Sequence, residues 1–108
     1  MEIKVSAKNF DREVIESDVP VVVEFYATWS TDCRLIDEAL SEKVSRMGRK
    51  AKLCKIDIDK DPDIASDYNV SNVPMLVFFE NGDIVSWLES GDLIIDGELN
   101  ENEIDGIF

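Results

Sequence analysis

Val21-Val22-Val23-Glu24-Phe25-Tyr26 runs without a break into Ala27-Thr28-Trp29-Ser30-Thr31-Asp32-Cys33. Pro20 opens the first stretch, whose nearly continuous apolar character suits a central parallel strand covered on both faces. Glu24 is its one exception. The second stretch leads into Leu35, Ile36, Ala39, Leu40, Val44 and Met47, which recur at helical spacing between about Asp32 and Met47. Gly48 offers a left-handed stop, and Arg46, Arg49 and Lys50 complement the helix dipole at that end. A buried strand therefore delivers Ser30 and a single thiol, Cys33, to the start of a helix.

Working outward, the signals alternate. Ile3 to Val5 is a short strand candidate, and Ser6 or Asn9 is a candidate cap for a helix presenting Phe10, Val14 and Ile15 on one face. Leu53 to Ile58 reads as another buried strand. Asp61-Pro62 marks a helix start, with Asp as cap and Pro in the first turn, and that helix is expected to run through Ile64, Ala65 and Tyr68. Met75 to Phe79 and Ile84 to Leu88 flank Asn81-Gly82, a strong signal for an antiparallel hairpin, so the sheet is expected to be mixed. The stretch from Gly91 to Gly97 reads as irregular. Leu99, Ile104, Ile107 and Phe108 then suggest a short amphipathic helix with Asn100 as its cap, weakened at Gly106 by up to about 1 kcal/mol relative to Ala.

This order, β-α-β-α-β-α-β-β-α, together with the aromatic-Ala-x-Trp stretch at Tyr26 to Trp29, Pro74 before the hairpin, Asn81-Gly82 and Gly91, resembles the thioredoxin family over nearly the whole chain. The resemblance implies an α/β thioredoxin fold, with three α/β/α layers around a central mixed five-stranded sheet, as a single domain over residues 1–108. Where the family has Cys-x-x-Cys, this chain has Ser30-Thr31-Asp32-Cys33. Ser30 is either a replacement introduced into a Cys-Thr-Asp-Cys parent or the mark of a naturally diverged, non-catalytic relative.

The family exchanges disulfides through the first cysteine of that motif, whose mixed disulfide the second cysteine resolves. A helix N-terminus favours the thiolate, with a pKa of about 7 in thioredoxin, a value that belongs to the family and is not read from this chain. A serine hydroxyl gains nothing comparable. The chain contains no histidine to act as its base, and an alkoxide cannot take part in thiol-disulfide exchange. The structural role open to Ser30 is that of a helix cap, worth about 1 kcal/mol.

Cys33 matches the resolving position; alone it is a small buried hydrophobe, a slow monothiol or an intermolecular disulfide former. Its first-turn location favours thiolate character, while an interior location opposes access. Cys54, between Leu53 and Lys55, reads as an inert core thiol, and a bridge to Cys33 would need Cα atoms within about 7 Å. Glu24 matches the family's buried aspartate, which helps move protons, and Lys55 matches the lysine near it; a purely structural Glu24–Lys55 pair and a snorkelling side chain are the alternatives. Val73-Pro74 matches the cis-proline loop that offers backbone groups to an extended substrate, and Met75 stands where many members have Thr. Trp29 with this loop is a candidate apolar docking patch, although core packing accounts for Trp29 equally well. Thr31-Asp32 in place of Gly-Pro alters redox tuning, and Glu38 in place of a kinking proline is expected to leave the helix straighter.

Composition narrows the partners. An apolar fraction of 44% with 32% charged residues is ordinary for a globular protein of 108 residues, which buries roughly 65% of its unfolded surface and needs no disulfide staples. Two widely spaced cysteines and no histidine argue against a cysteine- or histidine-based metal site, and no cofactor is expected. The Met1 to Val5 segment lacks the features of a signal peptide, and no apolar run approaches the roughly 20 residues that span a bilayer, so a cytoplasmic location is expected and a membrane is not. All eleven Lys and Arg lie at or before Lys60 while the acids divide twelve and twelve, leaving −1 on residues 1–60 and −12 on residues 61–108 of the total −13. Such a half repels phosphate backbones, which argues against nucleic acid. It suits either a solvated surface or a docking face for a basic protein.

The expected function is that of a thiol-disulfide oxidoreductase scaffold of the protein disulfide reductase class, inactive or strongly impaired as written, acting on protein disulfides or with a reductase, and monomeric. A non-catalytic binding module and a monothiol sensor acting through Cys33 are the alternatives.

Overall fold

Val21–Tyr26 form β2, the middle strand of a five-stranded sheet ordered β1-β3-β2-β4-β5 in the computed structural model, which describes residues 1–107. Glu2–Lys4 are β1, Lys52–Asp57 β3, Met75–Glu80 β4 and Asp83–Leu88 β5. Strand β3 runs parallel to β1 and β2, while β4 runs antiparallel to β2 and β5, so the sheet is mixed. The unbroken apolar run of β2 follows from this position, since both edges are paired and both faces are covered. Alternation along the pleat sends Val21, Val23 and Phe25 to one side and Val22 with Glu24 to the other.

Two apolar layers fill those sides. Beneath one face, Val21, Val23, Phe25, Cys54 and Ile56 pack with Phe10, with Val14 of a π-helical turn, Asp11–Ile15, and with Ala65 of helix α2, Pro62–Asp67. Tyr68 closes this layer with its ring centroid 5.7 Å from Phe10, 6.0 Å from Phe25 and 5.9 Å from Phe79. Across the sheet, Val22, Leu53 and Leu76 meet Ile36, Leu40 and Val44 of α1, Thr31–Met47, and Leu93, Ile104 and Ile107 nearer the C-terminus. This is the three-layer architecture that the resemblance implies. No helix among the described residues is long and apolar enough to cross a membrane.

The differences from the sequence reading lie at element ends and in the stretch from Gly91 to Gly97. Asn9 does not cap the first helical segment, since its Oδ1 accepts from the Ser6 N–H at 2.8 Å; Ser6 Oγ accepts from the Lys8 N–H at 3.2 Å, capping the turn that leads to Phe10, after which the segment begins. Asp61 precedes α2 without capping it, and its Oδ1 accepts from the Ala7 N–H at 3.1 Å. Helix α2 stops at Asp67, leaving Tyr68 as the residue that ends it. Gly48 ends α1 at φ 58°, ψ −124°, a conformation open to glycine but outside the left-handed helical well. Gly91 to Gly97 is not irregular: Ser90–Leu93 form α3, and Ile94–Ile95 (β6) pair with Glu98–Leu99 (β7) across Asp96-Gly97, both at positive φ. Asn100 precedes α4, Glu101–Asp105, but its amide donates to the Asp92 carbonyl instead of capping that helix. Ile104 and Ile107 are buried as the amphipathic reading requires, and Phe108 lies outside the described residues.

Asn81-Gly82 makes the tight turn between β4 and β5, with φ 53° and 83°. A Cβ at Gly82 would also meet the Ile15 carbonyl oxygen at 2.8 Å. Gly82→Ala is therefore expected to destabilise the fold by about 1–3 kcal/mol through strained φ and this clash. Chemical denaturation of the two proteins measures it; an unchanged midpoint would refute the assignment of the tip.

Candidate functional site

Strand β2 ends at Tyr26, and the chain turns through Ala27 to Trp29 before Ser30 starts α1. Ser30 is the N-cap, with extended backbone (φ −88°, ψ 120°), and its Oγ accepts the Cys33 N–H at 3.3 Å. The cap thus satisfies one of the free donors of the first turn. Both residues are enclosed, Ser30 at 8% and Cys33 at 4% exposure. Burial pushes the Cys33 thiol above its ordinary pKa, against the lowering effect of its hydrogen bonds with Ser30 and the Ala27 backbone. The tendency of a first-turn cysteine toward thiolate is therefore overridden, and Cys33 is a protonated thiol at neutral pH.

Cys54 is fully buried in the layer on the opposite face, and burial pushes its thiol up to about 11. With Cys33 on α1, the sheet separates the two sulfurs, and both cysteines are free.

Trp29 does not pack in the core. It is 66% exposed, and its Nε1–H donates to Asp59 Oδ2 at 2.9 Å, which holds the ring at the corner where α1 begins. Thr31 is exposed and Asp32 half-buried beside it. The Val73–Pro74 peptide bond is cis. Phe25 pairs with Met75 across antiparallel strands, so Val73 and Pro74 lie at the end of the sheet from which Ala27 to Ser30 depart. The Met75 side chain belongs to the core layer with Phe25 and Val77, which leaves its backbone as what it can offer an extended partner there.

Behind the thiol lies a cavity of about 240 Å³ lined by Glu24, Cys33, Asp37 and Lys55 among others. Glu24 and Lys55 are directly opposed in the β2–β3 register. The pairing expected between their charges is absent, because Lys55 Nζ forms its ion pair with Asp37. Lys55 also lies 5.1 Å from the Tyr26 ring centroid. Its pKa is raised: burial opposes the charge, but the Asp37 hydrogen bond and the nearby carboxylates outweigh it. Glu24 is fully buried, and no N–H or hydroxyl donates to either of its oxygens; the acceptor within its reach is the Asp37 carboxylate. Burial first, and the Asp37 charge second, push its pKa from 4.5 to about 8, with Lys55 pulling the other way. Glu24 is thus a protonated acid at neutral pH, which is how an unpaired carboxyl avoids the cost of a buried charge.

Asp37 was not singled out from the sequence. Its position, four residues after Cys33, places it one helical turn along the same face, the signal that could have found it. Glu38, by contrast, is exposed on α1.

The sequence model of the family described as Thioredoxin matches residues 1–94. The chain belongs to the thioredoxin family. It is 36% identical over 83 residues to a thioredoxin of Rickettsia bellii (strain RML369-C), a match covering 77% of this chain and 79% of that protein. It is 33% identical over 103 residues to the probable thioredoxin-2 of Caenorhabditis elegans, covering 95% of this chain and 69% of that protein. Chloroplastic thioredoxin M5 of Oryza sativa subsp. japonica is 38% identical over 76 residues, which cover 70% of this chain and 44% of that protein. These relatives make the fold a thioredoxin-type disulfide oxidoreductase scaffold, a family that generally acts on protein disulfides.

The state of Glu24 carries a consequence for stability. Between pH 4.5 and about 8 the unfolded chain releases this proton while the folded chain retains it. Folding stability contributed by this group therefore falls as pH rises through that window, by about 1.4 kcal/mol for each tenfold difference in proton affinity, and levels off above it. Glu24→Gln is expected to remove that slope, and Asp37→Asn to shift its upper end to lower pH. Denaturation midpoints across the window measure both; a slope surviving Glu24→Gln would assign it to another group.

Proposed function

We propose that this chain is a single-domain thioredoxin-type thiol-disulfide oxidoreductase in which Ser30 takes the place of the attacking thiol and leaves the protein inactive or strongly impaired. The observation that supports this most directly is the Ser30 hydroxyl at the N-cap of α1, bonded to the Cys33 N–H at 3.3 Å. In dithiol exchange a thiolate at that cap would attack a substrate disulfide, forming a mixed disulfide and releasing one substrate thiolate. Cys33, once deprotonated, would then attack the capping sulfur, close an internal disulfide and release the second substrate thiolate. Ser30 supplies no sulfur, so neither bond can form there.

In this reading Cys33 is the resolving thiol. Glu24 is the buried acid that exchanges its proton, and Lys55 tunes it from across the strand pair while bound to Asp37. Trp29, Thr31 and Asp32 border the reacting corner, and the backbone of Val73, Pro74 and Met75 receives an extended protein substrate. Such a protein would meet protein disulfides and a reductase, as a monomer in the cytoplasm; two free, buried cysteines are compatible with a reducing compartment. A second reading, a non-catalytic module that binds a protein at this corner, is favoured by the exposed Trp29 ring fixed by Asp59. A monothiol sensor is disfavoured by the burial and raised pKa of Cys33.

Ser30→Cys separates the two readings. For the oxidoreductase, the variant is expected to form a reversible disulfide with Cys33 and to turn over a model disulfide under excess reductant, while the chain as written does neither. Background turnover in a variant that forms the disulfide would leave the binding module standing.

A further inference from the structure

Strand β5 ends the sheet, and its sequence, Asp83-Ile84-Val85-Ser86-Trp87-Leu88, is not what a guarded edge carries. Edge strands are commonly protected by lysine or proline, and β5 has neither. Ile84 is 46% exposed, Val85 55% and Trp87 59%. Ile84 and Trp87 pair with Phe79 and Val77 of β4, so they flank strand β4 on the face that α2 only partly covers. Between them and the end of α2 runs a groove of about 400 Å³, with Tyr68, Met75, Val77, Ile84 and Trp87 as apolar walls. Asp67 and Glu89 line the same groove, and no Lys or Arg occurs anywhere from residue 61 onward.

We propose that this groove is a docking site for a basic, extended segment of a partner protein in which lysine or arginine alternates with large apolar residues. Apolar side chains of the segment fill the space beside Trp87 and Ile84, while its cations meet Asp67 and Glu89; an arginine can also stack on the Trp87 ring. The electrostatic match steers such a segment and rejects acidic ones. A second copy of this chain does not fit, since each copy carries −13. The register shift opposite Phe78 and Phe79 also leaves Val85 out of the β4 ladder and breaks the regular edge that strand-to-strand pairing needs. Recognition therefore rests on side chains in the groove. The site is independent of Ser30 and Cys33, so its failure leaves the oxidoreductase reading untouched.

The probe is a capped octapeptide alternating lysine with valine, titrated into the labelled protein while amide chemical shifts are followed. Its glutamate-for-lysine counterpart serves as the control. The lysine peptide is expected to bind, with shifts concentrated between residues 67 and 77 and between 84 and 89, and the glutamate peptide to produce none. Affinity is expected to fall roughly tenfold in Trp87→Ser and again in Asp67→Lys, both exposed positions, and to weaken as salt shortens the screening length from about 10 Å to about 3 Å. Equal binding of both peptides, or shifts elsewhere on the molecule, would overturn the proposal. So would no binding at all, or a dimer in sedimentation that Trp87→Ser dissolves, which would make a second copy the occupant.

Discussion

Strand β2 is hydrogen-bonded on both edges, by β3 and β4, and covered on both faces. Up to Phe25 its side chains must therefore enter one of two covered layers. Val21, Val22, Val23 and Phe25 do so as apolar groups, Tyr26 is half-buried at the strand's end, and the pleat forces Glu24, fully buried, into the layer beneath α1. The nearest cation, Lys55, is aligned across the strand pair yet bound to Asp37 on the helix above. A carboxyl in that position keeps its proton. The proton state of the cavity behind Cys33 is thus set first by the burial of Glu24 and then by the neighbouring Asp37 carboxylate, which also holds the one lysine that could offset it.

The same burial governs the thiol. A helix N-terminus lowers a thiol's pKa through its free N–H groups, but the effect requires the sulfur to face them without losing its solvation. Here the Ser30 hydroxyl already accepts from the Cys33 N–H, and Cys33 is almost wholly enclosed. Desolvation outweighs the favourable hydrogen bonds. Ser30, at the cap, is itself buried, so both motif positions sit behind the chain that leads into the helix.

Much of this was legible in the sequence because it depends on local pattern. The apolar run of β2, the helical spacing of Leu35 to Met47 and the Asn81-Gly82 tip each specify an element within a few residues. What was missed depends on which of several available partners a side chain takes. Asn9, Asp61 and Asn100 all carry side chains suited to capping, yet each bonds elsewhere: Asn9 to the Ser6 N–H, Asp61 to the Ala7 N–H and Asn100 to the Asp92 carbonyl. Asp37 took the lysine expected for Glu24 because three elements meet at one cavity, which no single stretch of sequence displays. Asp96-Gly97 is a different kind of miss. It bears the same turn signal as Asn81-Gly82, but its flanking strands, Ile94–Ile95 and Glu98–Leu99, are too short to show alternation.

The charge asymmetry acquires a spatial meaning once β4 is in place. Met75 begins that strand directly after the cis Val73–Pro74 bond and also lines the groove beside β5. Glu89, just past β5 at the same open end of the hairpin, lines both that groove and a second concavity formed with Ser71, Asn72 and Gly91. The cis-proline loop therefore leads directly into the strand that lines the β5 groove, and Met75 and Glu89 are shared by the two concavities. The basic residues all precede residue 61, so the acidic character along this side comes from the segments that build α2, β4 and β5 and is not offset within them.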